Sequence, residues 1–321
     1  MRRNPGRLIS RNHAARAAGM TGRVPSSERL RVLTTLVLVL SLALVALGGV
    51  VHTTGSSLAC PDWPLCHGEV MPPMEGGILY EHSHRLLALA VMIGVLALPW
   101  VAARASRSQR HLAIVAAGLV VVQALLGAIT VLLRLPPLVS VLHLAGATTL
   151  CALLAWIATR ERGPRAPIAR RTRDAIRSAL VIVVAQVLLG AAVRHLGASM
   201  ACGRDLLACD GTLAPSHALG VIHLAHRALG IVALVLVMRV GVLVSRERGP
   251  VIGLALALAA PAQVALGLLT VALGPRLAIV ASHLVLGELV VIGLVHLLAR
   301  TRDLAGAAPG HAFVARALVS S

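Results

Sequence analysis

Arg31–Val51 reads RVLTTLVLVLSLALVALGGVV, and after its first residue it holds no charge. Roughly 20 apolar residues, each adding about 1.5 Å, carry a helix across the hydrocarbon core of a bilayer. Seven further runs of this kind follow, at about 79–103, 111–133, 138–159, 175–194, 217–244, 251–273 and 277–299. With 57% hydrophobic residues, only 13% charged residues and a mean hydropathy of +0.85, the chain has too little polar surface to cover a water-soluble core. The sequence predicts an all-α integral membrane protein with eight transmembrane helices.

The formal charge of +18 would suit a nucleic-acid partner if it formed one patch, but the arginines collect in alternate connections between spans. Eight lie between Arg2 and Arg31, three more are Arg104, Arg107 and Arg110, and seven lie between Arg160 and Arg177. Residues 52–80, a connection on the opposite side, contain no Lys or Arg. That alternation marks a multi-pass protein of the cell membrane with both termini in the cytoplasm, and nucleic acid is not expected as a partner. The basic tail, residues 1–30, is expected at the cytoplasmic lipid surface. The first span is long enough to remain as a helix rather than to be cleaved as a signal peptide.

Sliding the chain against itself by 140 to 142 residues aligns Gly49 with Gly190, Cys60 with Cys202 and His84-Arg85 with His226-Arg227. The same slide aligns Gln123 with Gln263, Gly127 with Gly267, Thr130-Val131 with Thr270-Val271, and His143 with His283. Each unit holds an even number of spans, so both enter the membrane the same way round, related by an axis along its normal. The expected architecture is two pseudo-symmetric four-helix bundles, residues 31–160 and 178–300. A basic linker, 161–177, joins them, and a cytoplasmic tail, 301–321, follows. Gly127, Gly146, Gly190 and Gly267 are expected to let helices approach closely.

A histidine inside a lipid-spanning helix points to function, because polar groups are costly there. His84, His143, His226 and His283 each lie a few residues past the outer start of an even-numbered span, at broadly similar depth. Paired as His84 with His143 and His226 with His283, they can supply both axial ligands of a heme iron. One such histidine is equally well read as an interhelical hydrogen bond; four at repeat-equivalent places favour a cofactor. Zinc would require a compact tetrahedral cluster, which one histidine per helix does not provide. His52, His67, His195 and His217 read as a wet outer rim, and His82 points away from His84.

The repeat breaks at Glu81. It stands three residues before His84 on the same helical face, where the second half has His223. It reads either as a proton acceptor beside a reactive site or as a helix-start carboxylate favoured by the dipole. Reactivity is therefore expected in the first half and electron carriage in the second. Arg85 and Arg227 are candidates for heme propionates or for snorkelling to headgroups. Cys60 with Cys66, and Cys202 with Cys209, form close pairs in outside loops where disulfides are permitted, as structural staples or as redox-active bonds. Cys151 reads as a small core residue, and Glu288 as a buried carboxylate whose partner the sequence does not name.

These residues resemble the heme A synthase family. The resemblance runs through Gly48-Gly49-Val50-Val51, Gly55-Ser56, Cys60-Pro61-Asp62-Trp63-Pro64-Leu65-Cys66 and Glu81-His82-Ser83-His84-Arg85. It continues in His143-Leu144-Ala145-Gly146, His223 to Arg227 and Ser282-His283-Leu284. It implies oxidation of a ring methyl of heme O to the formyl group of heme A, for assembly of aa3-type terminal oxidases. His84 and His143 then correspond to substrate-heme ligands, His226 and His283 to ligands of a heme B cofactor, Glu81 to the catalytic acidic position, and Cys60 and Cys66 to a pair concerned with electron handling. Heme O synthase, an electron donor and a second copy of the chain are the partners it suggests. The competing reading is a diheme electron-transfer cytochrome, for which a carboxylate in one half alone has little use. A repeat-built transporter would show paired helix interruptions at mid-membrane, and none is evident.

Overall fold

The computed structural model describes residues 26–160, 165–209 and 211–303. Most of the expected N-terminal and C-terminal tails, and residues 161–164 of the linker, lie outside the described residues. Eight helices long and apolar enough to cross a membrane are present. They are α1 (Ser26–Thr53), α2 (Gly76–Ala102), α3 (Arg107–Leu132), α4 (Pro137–Arg160), α5 (Arg170–His195), α6 (Ala218–Arg248), α7 (Pro250–Leu273) and α8 (Leu277–Arg300). Each is longer than its apolar stretch, and side-chain caps fix the starts of two. Ser106 Oγ accepts the Gln109 N–H at the start of α3, and the His217 ring accepts the Gly220 N–H at the start of α6. Gly249, at φ +93°, makes the tight turn after which Pro250 opens α7.

Two helices begin before the expected bounds of the bundles. Ser26–Leu30 belong to α1, and Arg170–Arg177 belong to α5 rather than to a linker. Arginine is a good helix former, and Asp174 pairs with Arg177 at 3.0 Å within that first stretch. Ala166–Ile168 (β1) and Thr301–Asp303 (β2) pair in parallel, joining linker and tail in a small ladder. Arg173 reinforces it by donating to the Thr301 carbonyl at 2.5 Å, while Glu247 accepts from the Ala169 N–H and the Thr172 hydroxyl. A three-residue ladder carries too little periodicity to be read from sequence.

Packing follows the repeat. In the first half α1, α2, α3 and α4 pack each on the next and α4 returns to α1; α5 through α8 close a second ring in the same way. Between the rings α4 meets α8, α1 meets α8 and α4 meets α5. Exchanging the halves converts the last two contacts into one another and leaves the first unchanged, as a two-fold axis through the α4–α8 contact requires. Thr148 and Glu288, repeat-equivalent across 140 residues, meet at that axis, where the Thr148 hydroxyl donates to Glu288 Oε1. Glu288, 1% exposed, thus gains the partner that sequence could not name.

Each ring has its apolar core towards the arginine-rich side. Leu30, Val37, Val95, Leu98, Leu154 and Ile157 build the first; Ile176, Val237, Val240, Val291 and Leu294 build the second. Leu36, Val39, Trp100 and Val251 stay exposed on the outer faces, which suits a lipid solvent. Hydroxyls within the spans bond back to the preceding turn, as Thr34 does to Leu30 and Ser41 to Val37, so no water is needed. The polar functional residues are left at the opposite end.

The glycines expected at helix crossings serve another purpose. Gly127, Gly146, Gly190 and Gly267 face side chains, whereas the closest backbone approach joins α6 to α7 through Gly241 and Gly253. A Cβ on Gly253 would fall 2.4 Å from the Gly241 carbonyl, and one on Gly241 would fall 2.7 Å from the Gly253 carbonyl. Backbone cannot yield as a side chain can. Gly253→Ala should therefore destabilise the protein by about 1–3 kcal/mol, read as a lowered unfolding temperature in detergent, while Gly118→Ala, with open space at the site, should leave it unchanged.

Candidate functional site

Each even-numbered helix brings one histidine against a glycine of the helix before it. A Cβ on Gly48 would lie 3.2 Å from His84 Nε2, and one on Gly127 would lie 3.4 Å from His143 Cε1. Likewise Gly190 would meet His226 Cε1 at 2.9 Å, and Gly267 would meet His283 Cε1 at 3.2 Å. The absent side chain is what makes room for each ring. The partner of Gly190 is thereby Gly48, one residue before the Gly49 that the sequence slide selected; Gly49 faces Leu284 of the other half instead.

The two rings of each expected pair lie within electrostatic reach of one another, His84 with His143 and His226 with His283. His226 and His283 line a single cavity of about 940 Å³ in the second half, with Gln186, Gln263, Arg227 and Arg194. That size lies in the range of cofactor pockets, which run to roughly 1,000 Å³. Gln263 fixes the His283 segment: its Nε2 donates to the His283 carbonyl at 2.9 Å, and its own carbonyl holds His283 Nδ1 at 3.1 Å. With Nδ1 so held, Nε2 is the nitrogen left for a metal. Across the cavity Gln186 donates to the His226 carbonyl at 3.0 Å, and His226 Nδ1 is buried without a partner. Gln186 stands where the first half has Leu44, a difference the slide did not single out.

The two arginines diverge. Arg85 reaches into the first outside loop, where Nη1 donates to the Asp62 and Leu65 carbonyls and Nη2 to the Cys60 carbonyl and Glu81 Oε1. Four of its five N–H groups are so engaged, which leaves one for any further partner. Arg227 makes one loop contact, to the Ala208 carbonyl at 3.1 Å, and keeps Nε and Nη2 buried and unpartnered beside the cavity. It is the arginine free to meet a carboxylate there. Glu81 is engaged in the same clamp. Oε1 pairs with Arg85 at 2.6 Å and Oε2 accepts the Cys60 N–H at 2.8 Å, so the carboxylate, 4% exposed, pins loop to helix.

Both cysteine loops share one build. Cys60 is bonded to Cys66 and Cys202 to Cys209, and a bridge joins Cys66 to Glu69 as another joins Cys209 to Thr212. The Gly68 and His67 N–H groups hold the Asp62 carboxyl below the usual carboxylate range, and those of Ala208, Leu207 and Gly211 do the same for Asp205. This aspartate pair is a further element of the repeat. His67 stays in the loop, bonded to the Ala59 carbonyl, and His52 and His195, at the ends of α1 and α5, meet edge to face at 5.0 Å between the halves. Beside them Arg194 donates to the Gly49 carbonyl of α1 at 3.0 Å. Arg194 takes the repeat position of His52, and that mismatch is the signal that sequence reasoning passed over.

With this geometry described, the comparisons with known proteins converge. Residues 31–78 and 76–295 match the model of the COX15-CtaA family, cytochrome oxidase assembly protein. A heme A synthase of Symbiobacterium thermophilum is 39% identical over 212 residues, covering 60% of this chain and 68% of the relative. One from Bacillus pumilus is 32% identical over 222 residues, covering 64% and 71%. Another, from Shewanella oneidensis, is 28% identical over 295 residues, covering 77% and 88%.

The glycine seats can be tested individually. Gly190→Ala puts a methyl 2.9 Å from the His226 ring and should weaken binding of an iron porphyrin by about tenfold, followed by absorbance titration. Gly118→Ala, made in parallel, should titrate like the unaltered protein.

Proposed function

This chain belongs to the COX15-CtaA family of cytochrome oxidase assembly proteins, and on that footing we propose that it is a heme A synthase, oxidising one ring methyl of heme O to the formyl group of heme A for aa3-type oxidases. The observation that carries this reading is the set of four glycine-seated histidines, two to a bundle, in a membrane protein whose halves differ beside them. A symmetric electron relay would have no use for the Glu81–Arg85 clamp in one half, nor for Gln186 in the other.

In this reading heme O is bound in the first half by His84 and His143, and heme B is the resident cofactor of the second. The second cavity suits heme B: two imidazoles reach it, Arg227 offers unpaired donors to a propionate, and His226 Nδ1 awaits a partner. Bound heme B supplies one-electron redox chemistry at that place. His226 and His283 would hold its iron, and Gln263 keeps the His283 ring in one orientation. Glu81 is a positioning residue: by holding Cys60 and Arg85 it fixes the outside loop above His84. Loop closure of that kind excludes water from the reacting methyl. The arginine-rich connections set both termini in the cytoplasm and the two cysteine loops outside.

The test is to express the chain beside a supply of heme O and to analyse the extracted hemes by mass. Heme A or its hydroxylated precursor is the expected product, whereas unaltered heme O from folded, heme-loaded protein would overturn the assignment. The protein as purified should give the low-spin absorption of bis-histidine heme. Glu81→Gln removes the charge that holds Arg85, and should keep that spectrum while lowering heme A formation about a hundredfold. Full product yield from that variant would remove Glu81 from the mechanism.

A further inference from the structure

We propose that the first-loop cysteines, once reduced, form with His82 a buried site for a soft monovalent cation, Cu(I). Cys60 Sγ, Cys66 Sγ and a ring nitrogen of His82 all lie within 4.8 Å of one another. The two cysteines are 0% exposed and His82 is 3% exposed. His82 Nε2 bonds the Val70 carbonyl at 3.0 Å, while Nδ1 is buried with no hydrogen-bond partner. With its proton on Nε2, facing that carbonyl, the imidazole keeps an unused lone pair on Nδ1. A backbone carbonyl on the far nitrogen is the usual device that orients a metal-ligating histidine.

The loop does not depend on its sulfur–sulfur bond to keep this shape. Arg85 holds the Cys60, Asp62 and Leu65 carbonyls, Asp62 caps the His67 and Gly68 N–H groups, and the Cys66–Glu69 bridge closes the turn. Reduction by an external dithiol delivers two electrons and two protons, opens the bond to two thiols, and leaves the dithiol as a disulfide. Binding of the cation then releases both thiol protons, so that two thiolates and a neutral imidazole surround it. Zinc favours a fourth ligand, and the nearest carboxylate, Glu81, has both oxygens engaged; thiolates with a single imidazole suit Cu(I). The second half lacks the arrangement, because the repeat position of His82 is Leu224. Among the described residues no other group of three such ligands comes together.

The experiment uses the full chain in detergent, with Cys202 and Cys209 replaced by serine so that only the first pair remains. It is reduced with a phosphine under anaerobic conditions, its free thiols are counted by alkylation and mass, and it is titrated with Cu(I) against a chromogenic chelator. One equivalent of copper should be retained, with thiolate-to-copper ultraviolet absorption, and His82→Leu should weaken retention by about tenfold or more. His82→Asn, which keeps a polar side chain, should behave as the leucine variant does and guards against a folding defect, monitored by unfolding temperature. Failure to hold copper when the thiols are shown to be free would overturn the proposal. So would equal affinity in both folded His82 variants, or a preference for Zn²⁺ under the same conditions.

Discussion

An imidazole in a lipid-spanning helix has no water to satisfy it and needs space for whatever it binds, and this protein meets both demands through the helix that comes before. Odd-numbered helices supply glycine where even-numbered helices supply histidine, at Gly48, Gly127, Gly190 and Gly267. A side chain at Gly190 would collide with the ring, and one at Gly48 or Gly267 would crowd it. The same economy explains why the apolar cores crowd towards one side: dense packing of valine, leucine and isoleucine at that end holds the rings rigid. The outer end is thereby free to carry polar groups, which backbone carbonyls and glutamine amides then orient.

Duplication produced two equal scaffolds, and the functional differences are confined to a few side chains on them. Where the first half has Glu81 the second has His223, and where it has Leu44 the second has Gln186. One consequence is electrostatic. In the first half three carbonyls and one carboxylate oxygen take four of the Arg85 donors, and together with the Cys60 N–H bond to Glu81 they draw the disulfide loop onto α2. In the second, Arg227 keeps donors unpaired beside a large cavity. A loop clamped over one site and an arginine open to another are different devices, although both arose from the same His-Arg pair.

The sequence made the spans, the repeat and the four histidines legible because each rests on a strong, local signal: uninterrupted apolarity, rare residues at a fixed offset, and imidazole where lipid should be. What it could not reveal depended on direction. Arg85 follows His84 as Arg227 follows His226, and only the fold distinguishes an arginine turned into its loop from one left facing a cavity. Gly127, Gly190 and Gly267 were rightly singled out as small, but smallness does not say whether the neighbour is a backbone or a ring. The ladder of β1 and β2 joins segments far apart in sequence over three residues each, too short for any period to register.

The boundary between the halves carries the remaining logic. Thr148 lies five residues beyond His143 on α4, and Glu288 five beyond His283 on α8. The two-fold axis brings these equivalent positions together, so residues that began as copies now form one hydrogen bond between unlike groups. Glu288 Oε2 stays buried, unpartnered and beside the second cavity, while Oε1 is held by the first half. A change of charge in that cavity therefore acts on a carboxylate anchored to the helix that carries His143. His52, His195 and Arg194 make a second crossing nearer the outer surface. Two polar links through packed helices therefore tie the half that carries His143 to the half that carries His283.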